Sequence, residues 1–231
     1  MEESNYPMIE LIDVTVSAGK FQLTNINLSI PDNQYGILLG RTGSGKTTIM
    51  ETICGLKKTT KGTILIDGQD ITQLKPAERG VGFVPQDGAL FDQFNVFDNL
   101  AFSLKIRKWK KSEINERVCE LAELLGIESL LNRNTTNLSG GEKQRVSLGR
   151  ALAFFPSVLC FDEPLSALDE ETHDDMCHLL KNAQQYSNAS VLHISHNPKE
   201  HQRLADLTFE IKDGNVIQYQ PEELILKDQK I

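Results

Sequence analysis

Nine residues, Gly40 to Thr48, reading GRTGSGKTT, have the types and spacing needed to hold a phosphate. They fit G-x-x-x-x-G-K-[ST] through Gly40, Gly45, Lys46 and Thr47, with Arg41, Thr42, Gly43 and Ser44 in the loop and Thr48 just after it. Glycines let the backbone turn its N–H groups inward and come close to an anion. The helix that follows presents the positive end of its dipole to the same point. Lys46 would then meet the outer phosphates and the Thr47 hydroxyl a Mg²⁺ ion. For the loop taken alone, a Gly-rich turn between strand and helix is the plainer alternative.

Three more chemistry-bearing positions each follow a short apolar run. Gln86 comes after Val81 to Val84 and Pro85, and read alone it is either a ligand contact or a solvated loop residue. Asp162 and Glu163 end Val158 to Phe161, a continuous apolar run of the kind that forms a parallel strand covered on both faces. Two adjacent carboxylates at a buried strand end need a counter-charge or must raise a pKa. A Mg²⁺ ion on Asp162 and a Glu163 that acts on water would satisfy both; a solvated strand end is the alternative. His196 follows the last such run, while His193 lies inside it and reads as a packed residue. In a parallel sheet Gly40, Gln86, Asp162 and His196 come to one edge, the crevice where such sheets bind ligands.

The elements that must position these residues are legible around them. Alternation in IELIDVTV and FQLTNINLSI predicts two strands, and Tyr35 to Leu39 a buried third leading into the phosphate loop. Thr47 to Leu56 reads as a helix. GTILIDG ends in an Asp67-Gly68 hairpin turn at an antiparallel edge. Lys105 to Gly126 reads as helical, with Ser112 able to cap and Gly126 as the stop. The basic residues Lys105, Arg107, Lys108, Lys110 and Lys111 read as a solvated face, with partner contact as the alternative. Leu90, Phe91, Phe94, Val96 and Phe97 are too apolar for a solvated loop and suit core or a partner surface. In NLSGGEKQRVSLGRALA, Ser139 and Glu142 have the spacing of a capping box. Gly140 and Gly141 in the first turn cost roughly 0.5–1 kcal/mol each. A helix bears that more readily where an anion must approach its backbone. Beyond Asp169, one helical face carries Met176, Leu179, Leu180 and Ala183. A short helix and a hairpin turning at Asp213-Gly214 follow His196.

Composition sets outer limits. The 231 residues can bury a sizeable core, and 39% hydrophobic with 24% charged residues fits an ordinary globular protein. A net charge of -8 argues against nucleic acid or an anionic membrane surface as an electrostatic partner. Cys54, Cys119, Cys160 and Cys177 form no C-x-x-C pair, which favours reduced thiols over disulfides or zinc. No apolar stretch has the length of a membrane span, and the N-terminus is acidic where a signal peptide would be basic. The expectation is a cytoplasmic protein that meets a membrane only through a partner.

With these residues in place, the chain resembles the nucleotide-binding subunit of ABC transporters from about Ile9 to Gln218. GRTGSGKTT matches the Walker A loop, Gln86 the Q-loop, LSGGEKQRV the signature motif, VLCFDEP the Walker B strand, SALD the D-loop and His196 the switch histidine. The resemblance implies an α/β fold: a RecA-like P-loop NTPase core with an antiparallel β subdomain and a helical subdomain. Residues 1–86 and 138–231 would form core and β layer, and 87–137 the helical part. It implies ATP and Mg²⁺ as cofactors, Mg²⁺ near Thr47, Gln86 and Asp162, and Glu163 as general base. Lys46, Gln86 and His196 would serve catalysis beside it. It also implies a head-to-tail dimer in which Ser139, Gly140 and Gly141 of one copy close on nucleotide held by the Walker A loop of the other. The family's adenine-stacking aromatic is absent at Val16, Ser17 and Ala18; Phe21 is the nearest aromatic, for stacking or for the core. PAERGVGFVPQ, ALF and NVFDNLAFSL are most similar to ATPases of binding-protein-dependent importers for oxyanions, sugars, polyamines and iron, which work with a transmembrane permease. An exporter ATPase and a soluble ABC-type ATPase of assembly or regulation are the competing readings.

Overall fold

The computed structural model describes residues 6–219 except Lys20 and Ala167. The readings of the extreme N-terminus and of the polar tail lie outside these residues. Strands β1 (Ile9–Ala18), β2 (Phe21–Ile30) and β3 (Tyr35–Gly40) lead to helix α1 (Lys46–Ile53), then to β4 (Thr59–Ile66), β5 (Gln69–Asp70) and β6 (Val81–Val84). Helices α2 (Val96–Ile106), α3 (Lys111–Leu125) and α4 (Gly140–Leu152) follow. The chain continues through β7 (Val158–Asp162), α5 (Glu170–Ser187), β8 (Ser190–Ile194), α6 (Pro198–Leu204), β9 (Leu207–Lys212) and β10 (Asn215–Tyr219).

Two sheets result. One is antiparallel, in the order β2-β1-β4-β5; the other runs β10-β9-β3-β8-β7-β6, parallel throughout except that β10 pairs antiparallel with β9. Every residue of β7 and of β8 is buried, as a parallel strand covered on both faces requires. Because side chains alternate along a strand, β7 serves two cores. Leu159 and Phe161 pack with the helical layer of α2 to α5, whereas Val158 and Cys160 pack with α1 and the antiparallel sheet. This double cover fixes which edge of the parallel sheet stays open.

The helical layer departs from the sequence reading. Lys105 to Gly126 is two helices: α2 ends at Ile106, Lys108 takes a left-handed φ of 57°, and α3 starts at Lys111. Ser112 is not the cap. The Lys110 N–H donates to the Glu113 carboxylate at 3.0 Å, and Ser112 sits inside the first turn. The apolar segment before it starts a helix, with the Asn95 side chain accepting from the Asp98 N–H at 2.7 Å. Val96, Leu100 and Leu104 of that helix are core. Trp109, from the break, stacks on Phe155 and packs against the same core.

Helix α4, which carries the LSGGE segment, is seated on α2 and α3 at Gly149. A Cβ there would lie 2.5 Å from Leu100 Cδ2 and 2.7 Å from Leu125 Cδ1, and both leucines are fully buried. Gly149→Ala gains about 1 kcal/mol of helix propensity and loses about 1–3 kcal/mol to overpacking. Overpacking wins, so thermal melting should show the variant unfolding a few degrees lower; an equal or higher midpoint would mean that this contact yields easily.

Candidate functional site

The phosphate loop joins β3 to α1 in a conformation only glycine tolerates. Gly45, the N-cap of α1, has φ 101°, and a Cβ on it would lie 2.6 Å from Leu23 Cδ1 and 2.9 Å from Phe21 Cε1. Gly40 has φ 153°, and a Cβ on it would meet Ser44 Oγ at 2.8 Å. The Lys46 ammonium donates to the carbonyls of Gly40 at 2.8 Å and Arg41 at 3.2 Å, so a cation is pinned across the loop mouth. α1 then aims its unpaired N–H groups into the loop.

Glu163 is gripped from two strand ends. Its Oε2 accepts from Gln86 Nε2 at 3.5 Å, and its Oε1 lies 3.1 Å from His196 Nδ1. Its backbone has φ 47°, an uncommon conformation for a non-glycine residue. That conformation is held by Glu163 N–H donating to Ile194 O at 3.0 Å and by the Ser166 hydroxyl donating to Glu163 O at 3.0 Å. Asp162 is 7% exposed and accepts from the Thr47 hydroxyl at 3.3 Å. Burial raises its carboxyl above the ordinary range, and the charges of Glu163 and Glu51 add to this, against the Thr47 hydrogen bond and Lys46.

A cavity of about 340 Å³ is lined by Thr42, Gly43, Gly45, Lys46, Thr47, Thr48, Gln86, Glu163 and His196, with Phe21 in its wall. Asp162 joins it through Thr47. Arg41 and Ser44 line a neighbouring cavity of about 530 Å³, together with Phe21 and the β9–β10 hairpin. Phe21 is 40% exposed beside Gly45, whereas Val16 is fully buried. Ser139, Gly140 and Gly141 do not line the 340 Å³ cavity. Ser139 Oγ accepts from the Glu142 N–H and Glu142 returns the bond to the Ser139 N–H, a capping box. A Cβ on Gly140 would meet nothing within 4 Å, so that surface is open.

The donor set suits Mg²⁺: a hydroxyl, a carboxylate and an amide beside a phosphate loop, all hard oxygen ligands, around a carboxylate whose charge is disfavoured where it stands. Among the described residues no group of three or more His, Cys, Asp and Glu side chains could hold a metal by itself. Mg²⁺ is commonly held by one or two protein oxygens together with substrate phosphates. The sequence reading missed a buried cluster behind His196, formed by His173, His193 and Glu200; the three lie on different elements and carry no shared spacing.

Fold and site together define a P-loop nucleotide-binding domain. The chain belongs to the ABC transporter family, whose domain model matches residues 23–166. It is 42% identical to a molybdate/tungstate import ATP-binding protein of Archaeoglobus fulgidus, over 87% of this chain and 82% of that one. The corresponding protein of Thermococcus kodakarensis is 40% identical over 87% of this chain, which spans 61% of the relative's length. Among solved structures, cbiO1 of Clostridium perfringens, part of the ABC transporter complex cbiONQ, superposes with a TM-score of 0.86 at 26% identity, covering 97% of this chain and 93% of that one. A dimeric ATP-binding cassette in a post-hydrolysis state with ADP and Pi gives 0.81 at 28% identity, covering 93% and 99%. No helix among the described residues is long and apolar enough to cross a membrane.

A carboxyl with a raised pKa costs the fold stability as pH rises through its folded pKa, and protonation relieves the cost as pH falls. Asp162→Asn should therefore raise the unfolding midpoint of the nucleotide-free protein by about 2 °C while removing Mg²⁺-dependent gain in nucleotide affinity. Calorimetry and titration with and without Mg²⁺ check both; a lower midpoint would show that Asp162 is a stabilising charge.

Proposed function

We propose that this chain is the ATP-hydrolysing subunit of an ABC importer, working as a head-to-tail dimer attached to a transmembrane permease. One observation carries the reading: Lys46, Thr47, Gln86, Glu163 and His196, from four separate strand ends, line one cavity. ATP phosphates would lie against the loop N–H groups and Lys46. Thr47, Asp162 and Gln86 would hold Mg²⁺, which would supply neutralisation of phosphate charge. Glu163 accepts a proton from water as the water oxygen bonds to the γ-phosphorus and the bond to the β-phosphate oxygen breaks. Gln86 and His196 hold Glu163 and the water in line, so the chain contributes position and charge more than covalent chemistry.

Ser139 and Gly140 lie exposed at a helix N-terminus away from the cavity of their own chain, with Gly141 beside Thr172, which supports a role of this segment toward nucleotide held by a second copy. Phe21, at the cavity wall, offers its ring to the base in place of the aromatic missing at Val16 to Ala18. The half-buried Phe91, Phe94 and Phe102 cluster, with Phe91 and Phe102 ring centroids 4.5 Å apart, is the surface for the permease. Residues 87–137 would act as the helical subdomain that links this surface to Gln86. The relatives' names favour import over export, with an oxyanion as the first cargo to test.

Glu163→Gln should bind ATP with near-normal affinity, lose at least about 100-fold in turnover and run as a dimer with ATP on gel filtration. Near-normal turnover would take Glu163 out of the role of base. Ser139→Arg should stop turnover while the monomer still binds nucleotide. Weak binding by that monomer would mean that the segment acts within its own chain.

A further inference from the structure

The segment that follows β6 is tied to one face of α4. Gln144, Ser147 and Arg150 recur at every third residue of that helix and so lie on one side of it. Gln144 Nε2 donates to Gln86 O at 3.3 Å, the Ser147 hydroxyl to Gly88 O at 2.9 Å, and the Arg150 guanidinium to Gly88 O at 3.1 Å and to Ala89 O at 2.7 Å. The carbonyls of Gln86, Gly88 and Ala89 are thus all met by the same helix face.

Two of the three helix residues serve the turn itself. The Gly88 N–H donates to Pro85 O at 2.9 Å and the Ala89 N–H to Asp87 Oδ1 at 3.1 Å. Gly88 and Ala89 have left-handed φ of 70° and 39°, a conformation that alanine takes only where surrounding bonds hold it. Ser147, fully buried, and Arg150, which also lies 5.2 Å from the centre of the Phe91 ring, supply those bonds.

Gln144 is a different case. It is 9% exposed, and its Oε1 is buried without a partner, so only the donor half of the amide is used. A buried acceptor left unpaired costs stability. The bond made in return goes to an exposed residue, Gln86, whose carbonyl has water as an alternative partner. Stability alone therefore does not account for an amide at this place, since methionine has the same reach and no oxygen to orphan.

The residue at the other end of the bond does account for it. Gln86 lines the cavity of about 340 Å³ with Lys46 and Thr47, and its Nε2 donates to Glu163 Oε2 at 3.5 Å. The chain leaves the sheet at Val84, which pairs with Phe161 of β7, and Gln144 takes hold of it two residues later. We propose that Gln144 is a positioning residue for hydrolysis: its amide fixes the Gln86 backbone against α4, so that the reach of the Gln86 side chain toward Glu163 is set by that helix. This rests on Gln86 acting in hydrolysis, and a failure of that reading shows separately, as near-normal turnover of Gln86→Ala.

The test is kcat at saturating ATP, with the ATP affinity of the monomer and the melting midpoint measured alongside. Gln144→Met keeps the length of the side chain while removing both the donor and the orphaned oxygen. Its kcat should fall about tenfold, with ATP affinity unchanged and a midpoint equal to or above that of wild type. A residue that only held the fold together would lower the midpoint, and that readout separates the two roles. Gln144→Asn, one methylene too short to reach Gln86 O, is the second arm should Gln144→Met not fold, and it should lose turnover to the same extent. In a Gln86→Ala background Gln144→Met should cost nothing further, because residues that act through one contact do not add. Wild-type turnover by Gln144→Met or Gln144→Asn, a fall in kcat of Gln144→Met matched by a lower midpoint or by weaker ATP binding, or a further fall of the same size in the Gln86→Ala background would each overturn the proposal.

Discussion

Two carboxylates side by side at the end of a strand buried on both faces set the terms for the rest of the molecule. Asp162 and Glu163 cannot both be charged there without help, and burial already pushes Asp162 up. Help comes from Thr47 and Lys46 on one side, and from Gln86 and His196 on the other. What these residues leave uncompensated is the negative charge for which the proposed Mg²⁺ would be needed. The strand itself exists only because α1 and the antiparallel sheet cover one face and the α2 to α5 layer covers the other.

The same problem is solved a second time, by different means, behind His196. Glu200 is a buried carboxylate too, but His173 Nε2 stands 2.8 Å and His193 Nε2 3.3 Å from its two oxygens, and its carboxyl is held low where that of Asp162 is raised. That contrast separates the two acids by role. Asp162 has a single weak hydrogen bond, from Thr47, whereas both oxygens of Glu200 face imidazoles. Glu163 adds a third arrangement, a carboxylate between an amide and an imidazole on a left-handed backbone. Strained backbone conformations of this kind persist where surrounding bonds over-determine them, and they cluster at active sites.

Much of the fold was legible because burial writes itself into residue order. The run Val158 to Phe161 reads as a strand covered on both faces, and it is one; the hairpin turns at Asp67-Gly68 and Asp213-Gly214 fall where the dipeptides put them. The helical layer was harder. Lys105 to Gly126 kept helical spacing across a break, because Trp109 supplies an apolar residue in register while its backbone leaves the helix. The cap at Lys110 was hidden, since lysine has no accepting side chain and the bond comes from Glu113.

The sequence by itself determined that Lys46, Gln86, Asp162, Glu163 and His196 stand at or just beyond strand ends, because apolar runs, glycines and turn residues are local signals that survive without coordinates. Only the tertiary structure decided which of those residues meet. It brought Phe21 against Gly45, separated Ser139 to Gly141 from the cavity of their own chain, and set His173 and Glu200 behind His196. Those relations join residues far apart in sequence through the order of strands in the sheet and the packing of helices upon it, and neither is expressed in the spacing along a single segment.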